Sequence, residues 1–213
     1  MFSDRKDAGR QLAAELGRRG LRPEFVLGIP RGGVAVAWEV AKALGCEFGI
    51  LVVRKLPFPD NPEAGFGAVA EDGSLCLLPG VTARLPRCII KEILDEQFAE
   101  AQRRARVLRR REPLPEVRGR EILLVDDGIA MGSTVLAAVR YCRRRAARRV
   151  TVAAPVASPE ARARLVKSAD DVVTLLSPGD FMAVASYYEK WYDVPDQEVV
   201  AILEQARRRA ATG

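Results

Sequence analysis

Short apolar runs alternate with longer segments whose apolar residues recur every three or four positions, and the alternation repeats along the chain. Ser3 or Asp4 can cap a first helix running to about Gly20, where glycine supplies the stop. Phe25 to Ile29 reads as a buried strand, followed by a Pro-Arg-Gly-Gly turn and a helix from about Val34 to Leu44. Phe48 to Val53 is a second strand, β-branched and without polar alternation. From Arg54 to about Asp72 the prolines and glycines predict irregular chain, and Ala68 to Leu78 can form a hairpin around Asp72-Gly73. A long polar helix follows from about Pro86 to Arg110, closed by a linker at Pro113 and Pro115. Strands at Glu121 to Val125, Val150 to Val156 and Asp171 to Leu176 then alternate with two helices. These run from Ser133 or Thr134 to about Arg145, and from about Pro159 to Lys167. An irregular aromatic segment and a helix from about Asp196 end the chain.

This order predicts an α/β fold, a mostly parallel, twisted sheet with helices on both faces. Residues 1–176 are expected as the core, with a lid and possible hairpin at 55–80 and an inserted helix at 86–111. Residues 177–213 would form a small C-terminal hood and helix. Ligands of such sheets bind beyond the carboxyl ends of the strands, so the chemistry is sought in the strand-end turns.

Composition narrows that search. A chain of 213 residues, 48% hydrophobic and 29% charged, suits a globular protein with one sizeable core. No apolar run approaches a bilayer span, and Met1 to Asp7 mixes charges without a signal core, so a cytoplasmic address is expected. With no histidine, Ser-His-Asp and Cys-His mechanisms and His-ligated metals are excluded. Cys46, Cys76, Cys88 and Cys142 lack metal-site spacing and are expected as free, buried thiols. The net charge of +6 comes mainly from arginines in Arg103 to Arg111, Arg143 to Arg149 and Arg207 to Arg209, each late in a predicted helix. Solvated helix ends are the expectation, and an anionic partner such as RNA is the alternative. No aromatics interleave these runs, which argues against a single-strand stacking platform.

The turn after Glu121 to Val125 reads Asp126-Asp127-Gly128-Ile129-Ala130-Met131-Gly132-Ser133-Thr134. Two carboxylates at a strand end can accept from the vicinal hydroxyls of a ribose. The glycine-containing loop that opens a helix offers amides and hydroxyls to a phosphate. The same residues also suit a capped turn, with Asp127 in an Asx-turn and Ser133 as N-cap, or a Mg²⁺-binding Asp pair. Gly28-Ile29-Pro30-Arg31-Gly32-Gly33 is a second such turn. Gly32 and Gly33 let the backbone approach a ligand, and Arg31 offers a fork to phosphate oxygens. Neither a P-loop nor the dinucleotide G-x-G-x-x-G spacing is present.

Taken together, these segments resemble the type I phosphoribosyltransferases. Val125 to Thr134 is similar to that family's signature of apolar strand, acidic pair and loop ending in Gly-x-Thr. The resemblance implies that Asp126 and Asp127 hold the ribose hydroxyls of 5-phosphoribosyl-1-pyrophosphate. Gly128 and Ile129 would belong to the same binding loop, and Ala130, Met131, Gly132, Ser133 and Thr134 would wrap the 5′-phosphate. Pro30, Arg31, Gly32 and Gly33 resemble the pyrophosphate loop, where a strained peptide bond is often seen. Arg54 and Lys55 resemble the basic pair facing pyrophosphate, with the mobile stretch from Lys55 to Gly67 as the lid. Order and motif agree over about Arg10 to Leu176. The pattern of Val53-Arg54-Lys55-Leu56, Asn61-Pro62-Glu63 and Gly67 to Gly73 most resembles a bacterial group whose acceptors are unassigned.

The implied reaction passes the phosphoribosyl group to a nitrogenous base or similar small acceptor and releases pyrophosphate. Arg31, Arg54, Lys55, Asp126 and Asp127 would be the catalytic set. Mg²⁺ is the implied cofactor, carried in by the substrate. No residue is a direct ligand, although Asp126 or Asp127 can reach the ion through water. Glu63 is a candidate acid or base in the lid, or a solvated loop carboxylate. Ala130 stands where 6-oxopurine members carry an Asp, which counts against hypoxanthine and guanine. Met131 replaces a common Thr, so one phosphate contact is either lost or supplied by Ser133. Phe181, Tyr187, Tyr188, Trp191 and Tyr192 lie where the family has a variable hood. Trp191 is expected to stack on the acceptor, or these aromatics dock the last helix or a homodimer partner. A non-catalytic regulator that binds the same sugar phosphate is the alternative function.

Overall fold

The computed structural model describes residues 1–62, 64–83, 85–110, 112–113 and 116–212. In chain order the elements are α1 (Arg5–Arg18), β1 (Phe25–Gly28), α2 (Gly32–Leu44), β2 (Glu47–Ile50), β3 (Val53–Pro57), β4 (Gly65–Ala70), β5 (Leu75–Leu77) and α3 (Pro79–Thr82). They continue with α4 (Arg87–Leu108), β6 (Glu121–Val125), α5 (Ser133–Arg144), β7 (Arg149–Val156), α6 (Pro159–Leu165), β8 (Asp171–Leu176), a 3₁₀ turn (Val184–Tyr187) and α7 (Asp196–Thr212). Five strands form a parallel sheet in the order β2-β1-β6-β7-β8, and β3-β4-β5 form a separate antiparallel sheet.

Strand alternation explains the two-sided core. Phe25, Leu27, Ile122 and Leu124 pack with Val135, Leu136 and Val139 of α5 on one face. Val26, Leu123 and Val125 pack with Leu12 and Leu16 of α1 and Val34 and Val36 of α2 on the other. Successive residues thus feed opposite cores, and a fully apolar strand is what a sheet covered on both faces requires. Asp4 caps α1 by accepting from the Asp7 amide at 2.8 Å.

The chain departs from the sequence expectation between residues 48 and 72. The second parallel strand stops at Ile50, and Val53 begins β3 in the other sheet. Leu51 and Val52, which join them, are as buried as the strands, so hydrophobicity carries no mark of the change. The expected irregular stretch is instead the β3–β4 hairpin, with a register shift between Leu56 and Pro57. Its glycines are not loop residues. A Cβ at Gly67 would overlap the Cys76 carbonyl, so glycine is what lets β4 and β5 approach there.

Helix α4 lays Ile90, Ile93, Leu94 and Phe98 on Leu56, Phe66 and Val69 of the small sheet. Its end is pinned by the enclosed Arg109–Glu71 ion pair, whose side chains are 12% and 10% exposed. Much of the basic surface is neutralised within the chain: Arg103 and Arg104 pair with Glu100, Arg143 with Asp170, Arg148 with Glu24 and Arg207 with Glu112. Arg111 lies outside the described residues. Cys76 and Cys142 are buried, and burial pushes the Cys142 thiol up to about 12. Cys46 is half-buried and Cys88 exposed, against the expectation of burial. Among the described residues no helix is long and apolar enough to cross a membrane.

Candidate functional site

β1 and β6 are neighbours in the parallel sheet, with Gly28 level with Val125. From β1 the chain continues to β2 on one side, while β6 is followed by β7 and β8 on the other. The strand order therefore reverses between β1 and β6, and the turns leaving these strands border the crevice where such sheets bind ligands.

The turn after β6 is fixed from its outer side. The Ile129 amide donates to the Val156 carbonyl and the Ser158 amide to the Ile129 carbonyl, both at 2.9 Å. The Ser158 hydroxyl donates to the Ala130 carbonyl at 2.6 Å, and Arg164 to the Met131 carbonyl at 3.0 Å. Gly132 is the N-cap of α5 at φ +79°, a left-handed conformation that suits glycine. No side chain caps the first turn of α5. Its orphan amides and positive dipole end therefore stay open to an anion. The capped-turn alternative fails on both counts, because Ser133 is not the cap and the Asp127 carboxylate bonds elsewhere.

A cavity of ≈ 380 Å³ opens on this loop. Asp126 and residues 128–135 form one wall, Lys55, Phe58, Ala64 and Gly65 of the β3–β4 hairpin the opposite one, and Val184 of the hood a third. Val184 packs so closely on Gly128 that a Cβ there would overlap it. A larger depression of ≈ 760 Å³ lies near the amino ends of β1 and β2, beside Phe25, Glu47 and α7. Two of its cations, Arg109 and Arg207, are already paired with Glu71 and Glu112. It lies at the wrong strand ends for this fold, and we assign the chemistry to the smaller cavity.

The two carboxylates occupy different surroundings. Burial, and then the neighbouring charge of Asp127, raise the Asp126 carboxyl well above the usual carboxylate range. Asp126 Oδ1 accepts from the Asp127 amide at 2.9 Å. Asp127 Oδ2 accepts from Arg5 Nε at 2.7 Å, and Arg5 is only 5% exposed. A Cβ at Gly32 would overlap the Asp127 carboxylate, and one at Gly33 would lie 2.8 Å from Asp126 Oδ1. These glycines, expected to admit a ligand, make room for the acidic pair. Asp126 lines the cavity and Asp127 does not.

The cations are also divided. The Pro30–Arg31 peptide bond is cis. Arg31 lies 4.0 Å from Asp196 at the start of α7. The expectation that Arg54 and Lys55 face pyrophosphate together fails, because consecutive strand residues point to opposite faces. Lys55 lines the cavity, whereas Arg54 donates twice to Gln97 Oε1, at 3.1 and 3.0 Å. Burial, followed by the nearby charge of Arg104 and then other neighbours including Arg31, lowers the pKa of Arg54. Gln97 is absent from the residues that the sequence singles out. Its signal is nonetheless there, as the polar member of the stripe Gln97, Ala101, Ala105 and Leu108 that α4 buries. Arg104 stands out in the sequence only as part of a helix-end cluster.

Trp191 does not line the cavity. Its ring lies under the Arg5 guanidinium at 4.0 Å, so one face of the ring is given to a cation. Phe181 and Tyr187 stack on each other, and the Tyr188 hydroxyl donates to the Asp127 carbonyl at 2.6 Å. Glu63 lies outside the described residues.

The phosphoribosyl transferase domain family matches the chain over residues 3–190. A Mycobacterium tuberculosis H37Rv protein named as a putative phosphoribosyl transferase is 42% identical over 210 residues, which cover 98% of this chain and 47% of that protein. The chain thus spans about half the length of the curated relatives it matches. The crystal structure of TT1426 from Thermus thermophilus is similar, with 44% identity, 96% and 98% of the two chains covered and a TM-score of 0.80. A hypothetical Neisseria gonorrhoeae protein, crystallised with bound ppGpp, shares the fold with 15% identity, 95% and 93% coverage and a TM-score of 0.54.

Proposed function

The chain belongs to the phosphoribosyl transferase domain family, and from this we propose that it transfers the phosphoribosyl group of 5-phosphoribosyl-1-pyrophosphate to a small nitrogenous acceptor, releasing pyrophosphate. One observation carries the reading. The uncapped start of α5 and the Asp126 carboxyl border the same cavity at the sheet's switch point.

In this proposal the amides of Ala130 to Thr134, with the hydroxyls of Ser133 and Thr134, take the 5′-phosphate. Asp126 meets a ribose hydroxyl. Pyrophosphate lies towards the Pro30 to Gly33 turn, with Arg31 and Arg54 stabilising the charge that grows as the C1–oxygen bond breaks, while Lys55 faces the cavity from the other side of its strand. Mg²⁺, carried by the substrate, would neutralise part of that charge. Among the described residues no three His, Cys, Asp or Glu side chains gather to hold a metal ion by themselves. The acceptor nitrogen then bonds to C1. Water must be excluded from that carbon, and the segment from Lys55 to Gly67, of which Lys55, Phe58, Ala64 and Gly65 line the cavity, is the lid that does so. Ala130 supplies no carboxylate to take an acceptor's proton, which favours an adenine-type base or a simple amine over a 6-oxopurine.

Pyrophosphate release assayed across purines, pyrimidines and simple amines tests this reading. Release with one acceptor, dependent on Mg²⁺, is the expected result. Tight donor binding with silence across the whole panel would instead assign the chain to non-catalytic sensing of the same sugar phosphate.

A further inference from the structure

Arg5 lies far from the cavity in sequence, yet it is tied to the acidic pair at its centre. Its Nε donates to Asp127 Oδ2 at 2.7 Å across 122 residues of sequence, and the two side chains are 6% and 14% exposed. Its second donor goes to the Tyr192 carbonyl at 3.0 Å. Three hood rings surround the guanidinium: Trp191 at 4.0 Å, Tyr192 at 5.4 Å and Tyr188 at 6.0 Å. The Tyr188 hydroxyl holds the Asp127 carbonyl, and the hood is bridged to the N-terminus by Phe2 amide to Tyr187 carbonyl and Glu189 amide to Phe2 carbonyl, both 2.8 Å. Asp127 is therefore gripped by side chain and backbone together. Its carboxylate lies against Gly32, in the turn that carries Arg31.

We infer that Arg5 is a positioning residue that fixes the orientation of Asp127, joining the hood and the Pro30 to Gly33 turn to the donor site. The inference rests on the transferase reading and sharpens it. The two carboxylates are held differently: Asp126 lines the cavity, and one oxygen of Asp127 is committed to Arg5. An enclosed ion pair of this kind is strongly coupled, because removing either member strands the other charge. The aromatic faces hold the guanidinium plane in register, which a lysine cannot reproduce.

The chain has two tryptophans, so Trp38→Phe leaves Trp191 as sole reporter of the tie. In that background Arg5→Gln and Asp127→Asn are each expected to shift Trp191 emission. Each should weaken binding of Mg²⁺ and 5-phosphoribosyl-1-pyrophosphate by about tenfold, and the double variant no further than the worse single one. Arg5→Lys, which keeps the charge, recovers affinity but not the emission. Saturating donor leaves Trp191 emission unchanged while Arg5 and Asp127 are intact. Donor that moves the emission as Arg5→Gln does, with additive losses in the double variant, would show Arg5 displaced and acting independently of Asp127, which overturns the inference. Failure of the donor to bind at all defeats the transferase reading instead. The emission and melting-temperature coupling of Arg5 and Asp127, which needs no ligand, then decides whether the tie exists.

Discussion

The two halves of the site are built by different means. The loop from Asp126 to Thr134 is one continuous segment that shapes its cradle with backbone, from the left-handed Gly132 to the uncapped start of α5. The cationic half is assembled from side chains on separate elements: Arg31 before α2, Arg54 on β3, and Gln97 and Arg104 on α4. A backbone cradle is specified locally and fails when its conformation is disturbed. A side-chain assembly is specified by tertiary packing and loses function one residue at a time.

The largest effect should follow from disturbing the cradle. Gly132→Val places a β-branched residue at φ +79°, with its Cβ 3.3 Å from that of Ala161. It should cost about 1–3 kcal/mol in denaturant unfolding, and donor affinity should fall by roughly a hundredfold. Donor affinity near wild type in a folded Gly132→Val protein would mean that the phosphate is held elsewhere.

Next comes the cationic half. Arg54→Ala removes charge-assisted bonds of about 1.5–3 kcal/mol, so inhibition by free pyrophosphate should weaken by roughly ten- to a hundredfold. Gln97→Leu keeps the charge and loses only its orientation, so its effect should be distinctly smaller. Equal losses in the two variants would show that orientation, not charge, is what Arg54 provides.

A third test concerns the cost of a buried acid in the cradle. The folded-state pKa of Asp126 is raised, so the folded protein keeps a proton that the unfolded chain gives up. Its contribution to stability is most favourable below the unfolded carboxylate pKa and declines as pH rises towards the folded value. Asp126→Asn should therefore melt at a higher temperature than wild type at neutral pH, and the gap should close in acid. A variant less stable than wild type at pH 7 would refute this account of its burial.

The smallest effect is expected on the surface of α4. Arg103, and then Arg104, hold the Glu100 carboxyl down to about 2. That stabilisation is present above the unfolded carboxylate pKa and is lost as pH falls towards about 2. Glu100 is solvent-screened, so Glu100→Gln should change unfolding free energy by less than about 1 kcal/mol at neutral pH, and salt should erase the difference.

The same contrast decides what can be read from the sequence. Glu121–Val125 and Asp171–Leu176 are legible to the residue, because a strand buried on both faces is a short apolar run with clear ends. The Asp126 to Thr134 loop is legible because its chemistry is contiguous. Arg54 and Lys55 fall on one surface only while their stretch is read as irregular. Read as a strand, their adjacency alone separates them. The Arg5–Asp127 tie spans 122 residues and leaves no local mark, and with it goes the true neighbour of Trp191. The change of sheet at Leu51 and Val52 is hidden because burial is uniform across it.

Calorimetric titration of 5-phosphoribosyl-1-pyrophosphate into the wild-type chain and into Asp126→Ala, with and without Mg²⁺, tests the central assignment most directly. The account predicts one site, dependent on Mg²⁺, with affinity falling by about tenfold in Asp126→Ala as a hydrogen bond to a ribose hydroxyl is lost. Binding of equal strength in the two proteins would contradict it.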